Sequence, residues 1–489
     1  MGRKSREKRE RRKQNTSSLT DHHREGSRLV PPLARLPALA PHSWLHERLP
    51  ELLWAALLLD AVPREQILEL FRTLGTRITD AGANAPFDVR HTGLAGALPR
   101  SKEIFIDFIC KPERARRALR PLLLYPGLPG REAWTAAIVG DANSEDWPRV
   151  AQAVAAVLDH QSQESTDLRW LTLLCRMAAG KYHMPEEMAK ELSLYPYLGD
   201  QRKVRPSIRA AELAMAGIEA GPAAHVSRAW PSEFWDYSLQ NTPCFALPDR
   251  EPSPYPPAGT SKDRVAKARE AVVAHSTRTR QTSAVDPKHD TVFGAALFAL
   301  DILAELLRIG SSTTVMARVA LRTLLDVRVT LAYLQHENSV DLWQSFRVYG
   351  AGQVKLAVLK LEEAKDQPFS IPIERLRALA NEDVWQEFLQ IDLGHWANSN
   401  LRVMSGEAGV KDEYDQIYPW ASAYSHGHWG AIRESEFDIC GNALHRLHRL
   451  PRSELRPPPD VIPDAIRLVD AILMTVNDAY PELAIRVQT

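Results

Sequence analysis

Six of the fifteen residues from 243 to 257 are proline, within the stretch NTPCFALPDREPSPYPP. Each proline fixes its own φ, removes a backbone donor and restricts the residue before it, so neither a helix nor an interior strand can run through this segment. A chain built this way folds as separate bodies on either side of a linker. On both sides apolar residues recur at three- and four-residue intervals, as in ELLWAALLLDAV (51–62), REQILELFRTLGTRI (64–78), VFGAALFALDILAELLRI (292–309) and TTVMARVALRTLLDVRVTLAYL (313–334). That is the period of an amphipathic helix; the two-residue alternation of strands is nearly absent. We therefore expect an all-α protein of two helical-bundle domains. Its parts are a basic disordered tail with a Pro-rich connector (1–42), an N-terminal helical domain (43–240), a linker with one charged helix (241–290) and a C-terminal helical domain (291–489). The chain's 489 residues suffice to bury two cores.

The 61 basic and 61 acidic side chains cancel, but not uniformly. Residues 1–14 hold eight basic groups (Arg3, Lys4, Arg6, Lys8, Arg9, Arg11, Arg12 and Lys13) and two acidic ones, leaving 53 basic against 59 acidic elsewhere. The tail is expected to meet RNA or DNA through charge alone: it has no aromatic side chains for stacking, so binding there is non-specific and salt-sensitive. The mildly acidic body carries no broad nucleic-acid footprint of its own; a protein partner or a second copy of the chain remains open. Cys110, Cys175, Cys244 and Cys440 are widely spaced, with no C-x-x-C and no Cys/His cluster at zinc spacing. This favours reduced thiols in a cytoplasmic protein and suggests no metal and no cofactor. The longest apolar runs, 52–59 and 292–300, fall short of the roughly 20 residues of a spanning helix. The phosphate-loop, dinucleotide-fold, serine-hydrolase and zincin motifs are all absent.

Two constellations could carry chemistry. In the apolar helix 313–334, Arg318, Arg322 and Asp326 recur every four residues and share one stripe. Buried charges are costly unless paired, so the stripe is either an internal ion-paired seam or an anion-binding Arg held by Asp326. Gly310 and the hydroxyls of Ser311, Ser312 and Thr313 are placed to end one helix and cap the next. In YDQIYPWASAYSHGHWGAIR (414–433), Tyr418, Ser422 and His426 are also four apart. Pro419 suits an early helical position, which suggests a start near Tyr418. His426 could transfer protons beside Arg322, or simply be capped by a neighbouring hydroxyl. Two residues apart on a helix, His426 and His428 should face different directions. Asp301 and Glu305 are expected to pair with the Arg stripe of the adjacent helix. Three Arg/His spacings of the kind found in helical RNases (Arg35/His42, Arg176/His183 and Arg269/His275) are at chance level among 16 histidines.

The run RTLLD (322–326), then Trp396, then Tyr418-x-x-x-Ser422-x-x-x-His426-Gly427 resembles the bacterial domain-of-unknown-function family 5677 over roughly 290–480. Asp326 stands where that family usually has Glu. The resemblance implies an α-helical bacterial domain without an established activity, and it groups Arg322, Asp326, Tyr418, Ser422 and His426 as a shared site. Two functions fit. One is a non-catalytic binding or regulatory protein whose Arg/Asp/Tyr/Ser/His network fixes helix packing. The other is a metal-independent RNase-like or phosphate-ester-acting effector, of the phage-defence or toxin type, using Arg322 and His426.

Overall fold

The computed structural model describes residues 21–31, 43–81, 88–96, 103–183, 185–195, 204–219, 229–247, 261–309, 313–366, 368, 370–381, 389–397, 399–445, 448–452 and 459–488. Over these the chain is mostly helical, with four three-residue strands. It forms two compact units, one of 1–247 with 439–449 and the other of 248–438 with 450–489. Residues 439–449, read from sequence as part of the C-terminal domain, thus group with the N-terminal unit. The basic tail, Arg35/His42, most of the proline-dense linker and the Gly310–Ser312 turn lie outside the described residues.

The first unit opens with an exposed hairpin, β1 (His23–Glu25) and β2 (Arg28–Val30), paired antiparallel. Helices α1 (Leu53–Ala61), α2 (Arg64–Ala81), α3 (His91–Gly96), α4 (Glu113–Leu119), α5 (Arg131–Ala137), α6 (Trp147–Leu158), α7 (Gln163–Ala178), α8 (Glu186–Leu194), α9 (Arg205–Glu219) and α10 (Ala229–Asn241) follow. After α3, a π-helical turn (Glu103–Asp107) and α4 flank a break at Pro112, whose missing N–H cannot continue the ladder. Trp54, Phe71, Phe105, Tyr125, Trp134 and Phe234 fill the core. Two of its aromatic residues place their polar tips in hydrogen bonds: Trp54 Nε1 donates to Val89 O at 2.9 Å, and the Tyr125 and Ser238 hydroxyls meet at 2.9 Å.

The second unit contains α11 (Lys262–Thr279), α12 (Pro287–Ile309), α13 (Val315–Glu337), α14 (Val340–Glu363), α15 (Ile373–Ala380), α16 (Leu401–Glu407), α17 (Lys411–Ser425), α18 (Trp429–Glu436) and α19 (Ile462–Ala479). Strands β3 (Phe437–Ile439) and β4 (Arg449–Pro451) pair with each other. Thr314, not Thr313, caps α13, its hydroxyl accepting from Ala317 N at 3.3 Å. The core is a sum of helical stripes: Ala296, Ala299 and Leu303 on α12; Ala317, Leu321, Leu324 and Leu325 on α13; Ala465, Val469, Ile472 and Val476 on α19. Central α13 packs on α16, α17 and α19. Arg328 ties three of these together, donating to Glu413 on α17 at 3.2 Å and to Thr475 on α19 at 3.1 Å. No described helix is long and apolar enough to cross a membrane.

Candidate functional site

The face of α13 turned to α17 carries the charged stripe. Arg318 is fully buried: it donates to Thr314 O at 2.9 Å and to Pro459 O, with its guanidinium carbon 5.4 Å from the Trp420 ring centre and 6.0 Å from that of Tyr424. Burial pushes its pKa down, opposed by Tyr424 and Glu434. An anion could reach this side chain only by opening the helix contact. One turn along, Arg322 pairs with Asp326 and lies 4.0 Å over the Tyr418 ring. The Arg322 side chain is 13% exposed and that of Asp326 42%, so the pair sits at the edge of the core.

On α17, Tyr414, Tyr418 and Ser422 follow at helical spacing, and the first two rings stack at 4.4 Å. Burial pushes the Tyr418 hydroxyl up, but Arg322, Ser422 and Tyr414 together outweigh it, so it ionises below the ordinary tyrosine value. Burial and the neighbouring Tyr418 push Tyr414 the other way. Four of the five residues singled out in sequence, Arg322, Asp326, Tyr418 and Ser422, therefore share one cluster.

His426 does not join them. The helix begins at Lys411, seven residues before Tyr418, and keeps Pro419 inside it; the contacts of buried Tyr414, Ile417 and Ala421 outweigh the lost hydrogen bond. It ends at Ser425. Gly427 takes φ +60°, and His428 N reaches back to Ala423 O at 2.9 Å, closing the helix with a left-handed glycine. This turn puts His426 in solvent, where its ring stacks on that of His428 at 5.7 Å instead of facing away. Among the described residues, no hydrogen bond, ion pair or ring contact joins His426 to Arg322.

The acidic pair on α12 also departs from expectation. Asp301 pairs with Arg269 on α11 at 2.5 Å and Glu305 with Arg308 at 2.7 Å, because both face away from the stripe on α13. The other Arg/His spacings serve packing: Arg176 approaches Asp88 at 3.8 Å, and His275 Nε2 meets Tyr480 O at 2.9 Å.

Several polar groups were not singled out in sequence. Beside α14, a shallow depression of about 400 Å³ is lined by Phe346, Arg347, Tyr349, His395 and Trp396, with Arg347 held by Asp290 at 2.9 Å. In the first unit, Glu212 on α9 is paired with Arg48 at 2.5 Å and Arg169 at 3.4 Å, and the Arg169 guanidinium carbon lies 4.3 Å from the Trp44 ring centre. Also in the first unit, Cys244, Cys440 and His445 converge. Nothing local marks these groups, since their members come from distant segments. No curated protein and no solved structure matches the chain, and no family model matches its N-terminal half. The segment that holds the Arg322–Tyr418 cluster, residues 293–439, matches the model of the family of unknown function DUF5677.

Proposed function

We propose that this is an intracellular, non-catalytic binding or regulatory protein, in which Arg322, Asp326, Tyr418 and Ser422 form a polar lock that sets α13 against α17. The observation that carries the reading is the commitment of Arg322: its charge is spent on Asp326 and its face on Tyr418, while His426, the histidine that would transfer protons in the effector reading, stands outside at the helix end. A small ligand would use the aromatic depression around Arg347 and Trp396, where an ion-paired guanidinium is set among rings.

The test compares Arg322→Ala and His426→Ala for melting temperature and for metal-free cleavage of RNA and of a model phosphodiester. The lock predicts a lower melting temperature for Arg322→Ala, a negligible change for His426→Ala, and no cleavage by the parent protein. Cleavage that is lost in His426→Ala at unchanged stability would establish the effector reading instead.

A further inference from the structure

We propose that Cys244, Cys440 and His445 of the first unit form a binding site for a thiophilic divalent ion, of which zinc is the natural occupant. The donor atoms lie within 4.8 Å of one another, with His445 Nδ1 at 3.4 Å from Cys244 Sγ and 3.5 Å from Cys440 Sγ. A zinc ion about 2.3 Å from sulfur and about 2.0–2.1 Å from nitrogen, at tetrahedral angles, places those two atoms roughly 3.5–3.6 Å apart. The sulfur–nitrogen separations of 3.4 and 3.5 Å already lie close to that edge.

The surroundings set the imidazole for this role. His445 Nε2 lies 2.8 Å from Thr242 Oγ1, and that hydroxyl donates to Ser238 O at 2.8 Å. The hydroxyl hydrogen is thereby committed, so Nε2 must carry the ring hydrogen and Nδ1 presents its lone pair to the two sulfurs. A ligating histidine is commonly held in this way, its second nitrogen fixed by an outer hydrogen bond. Asn442 braces the same hydroxyl at 3.1 Å and donates to Pro243 O at 3.0 Å. Backbone contacts hold the sulfurs in register: Ala246 bridges Cys440, and Gly441 N donates to Phe245 O at 2.8 Å.

On binding, each thiol gives up its proton to solvent, and two thiolates neutralise the dication. Cys244 is exposed whereas Cys440 and His445 are buried, so the fourth position opens outward to water. The ion clasps residues 440–445 to 242–246, segments about two hundred positions apart in the chain.

The experiment uses the full chain, reduced and stripped with a chelator, then titrated with Co²⁺ and back-titrated with Zn²⁺. The site predicts one equivalent of Co²⁺ with tetrahedral d–d bands and a thiolate charge-transfer band, both bleached by Zn²⁺, and a higher melting temperature with Zn²⁺. Cys440→Ser should abolish the charge-transfer band or halve it, and so should Cys244→Ser, which is at an exposed position and spares the fold. Thr242→Val, which leaves all three donors in place, should weaken binding about 10- to 100-fold with an unchanged circular dichroism spectrum. Cobalt bands without sulfur character, or uptake unaffected by Cys244→Ser and Cys440→Ser, would overturn the proposal. So would a Cys244–Cys440 disulfide in the protein isolated without reductant, combined with no metal uptake after reduction.

Discussion

The Arg322 guanidinium lies 4.0 Å over the ring of Tyr418, and the same side chain pairs with Asp326 one turn along α13. A cation over an aromatic face and a half-exposed ion pair together contribute about 1–2 kcal/mol. For a unit of this size, Arg322→Ala should lower the melting temperature by roughly 2–8 °C. The charge also holds the Tyr418 phenol below its ordinary pKa. Ultraviolet difference titration should thus show one low-pH tyrosine that is absent from Tyr418→Phe and moves upward in Arg322→Ala. An unmoved titration would separate the two groups in solution.

The excess positive charge of the chain is concentrated between Arg3 and Lys13. Deleting residues 1–14 should abolish salt-sensitive association with RNA or DNA while leaving the melting temperature unchanged. Fluorescence anisotropy at two salt concentrations reads this directly. Binding that survives the deletion would move the polyanion site to a folded unit.

His91 is fully buried between Trp134 at 5.7 Å and Trp230 at 5.9 Å, and no described residue hydrogen-bonds either ring nitrogen. Burial pushes its pKa down to about 3, against about 6.5 when unfolded. Between those values the unfolded chain binds the proton and the folded chain does not. Stability present above pH 6.5 is therefore lost as pH falls, by roughly 2 kcal/mol from pH 7 to pH 5. Urea midpoints at the two pH values should show this loss in the parent, and His91→Phe should lack this component.

What could be read from sequence was what depends on local spacing. The stripes of α13 and α19 were visible as three- and four-residue periods, and Arg322/Asp326 and Tyr418/Ser422 as one-turn neighbours, because a helix maps spacing directly onto a face. His426 shares that spacing and still leaves the face, since the left-handed Gly427 ends the helix at Ser425. Pro419 misled in the opposite direction: a weak local preference for a first-turn position gave way to the burial of Tyr414 and Ile417. The Cys244–His445 pair, 201 positions apart, has no local signature at all. Zinc spacings in sequence report sites built on one turn or hairpin, and this one is built by two remote segments brought together in the fold.

Glu212 is 4% exposed and faces two cations, Arg48 and Arg169. Burial pushes Arg169 down to about 10 even with Glu212 beside it. Removing the carboxylate leaves buried positive charge without its counterion, which costs about 3–5 kcal/mol. Glu212→Ala should therefore destabilise the first unit strongly. The double variant Glu212→Ala with Arg169→Met, which removes both signs, should recover part of the loss in chemical denaturation. Equal losses in the single and double variants would show that packing, not charge, dominates.

One side chain fixes the last backbone amides of the C-terminal segment. Asp470, 7% exposed on α19, accepts from Val487 N at 2.6 Å and Gln488 N at 3.1 Å, which seats Val487 in the core. Hydrogen bonds to an ionised acceptor contribute roughly 1.5–3 kcal/mol each, less when the freed amides regain water. Asp470→Ala should release the segment locally: in hydrogen exchange, the Val487 and Gln488 amides should lose protection while the middle of α19, around Ile472 and Val476, keeps it. Asp470→Asn retains one oxygen acceptor and should fall between the two. If α19 loses protection together with the terminus, the segment and the helix form one cooperative unit, and Asp470 supports the whole bundle and not only its end.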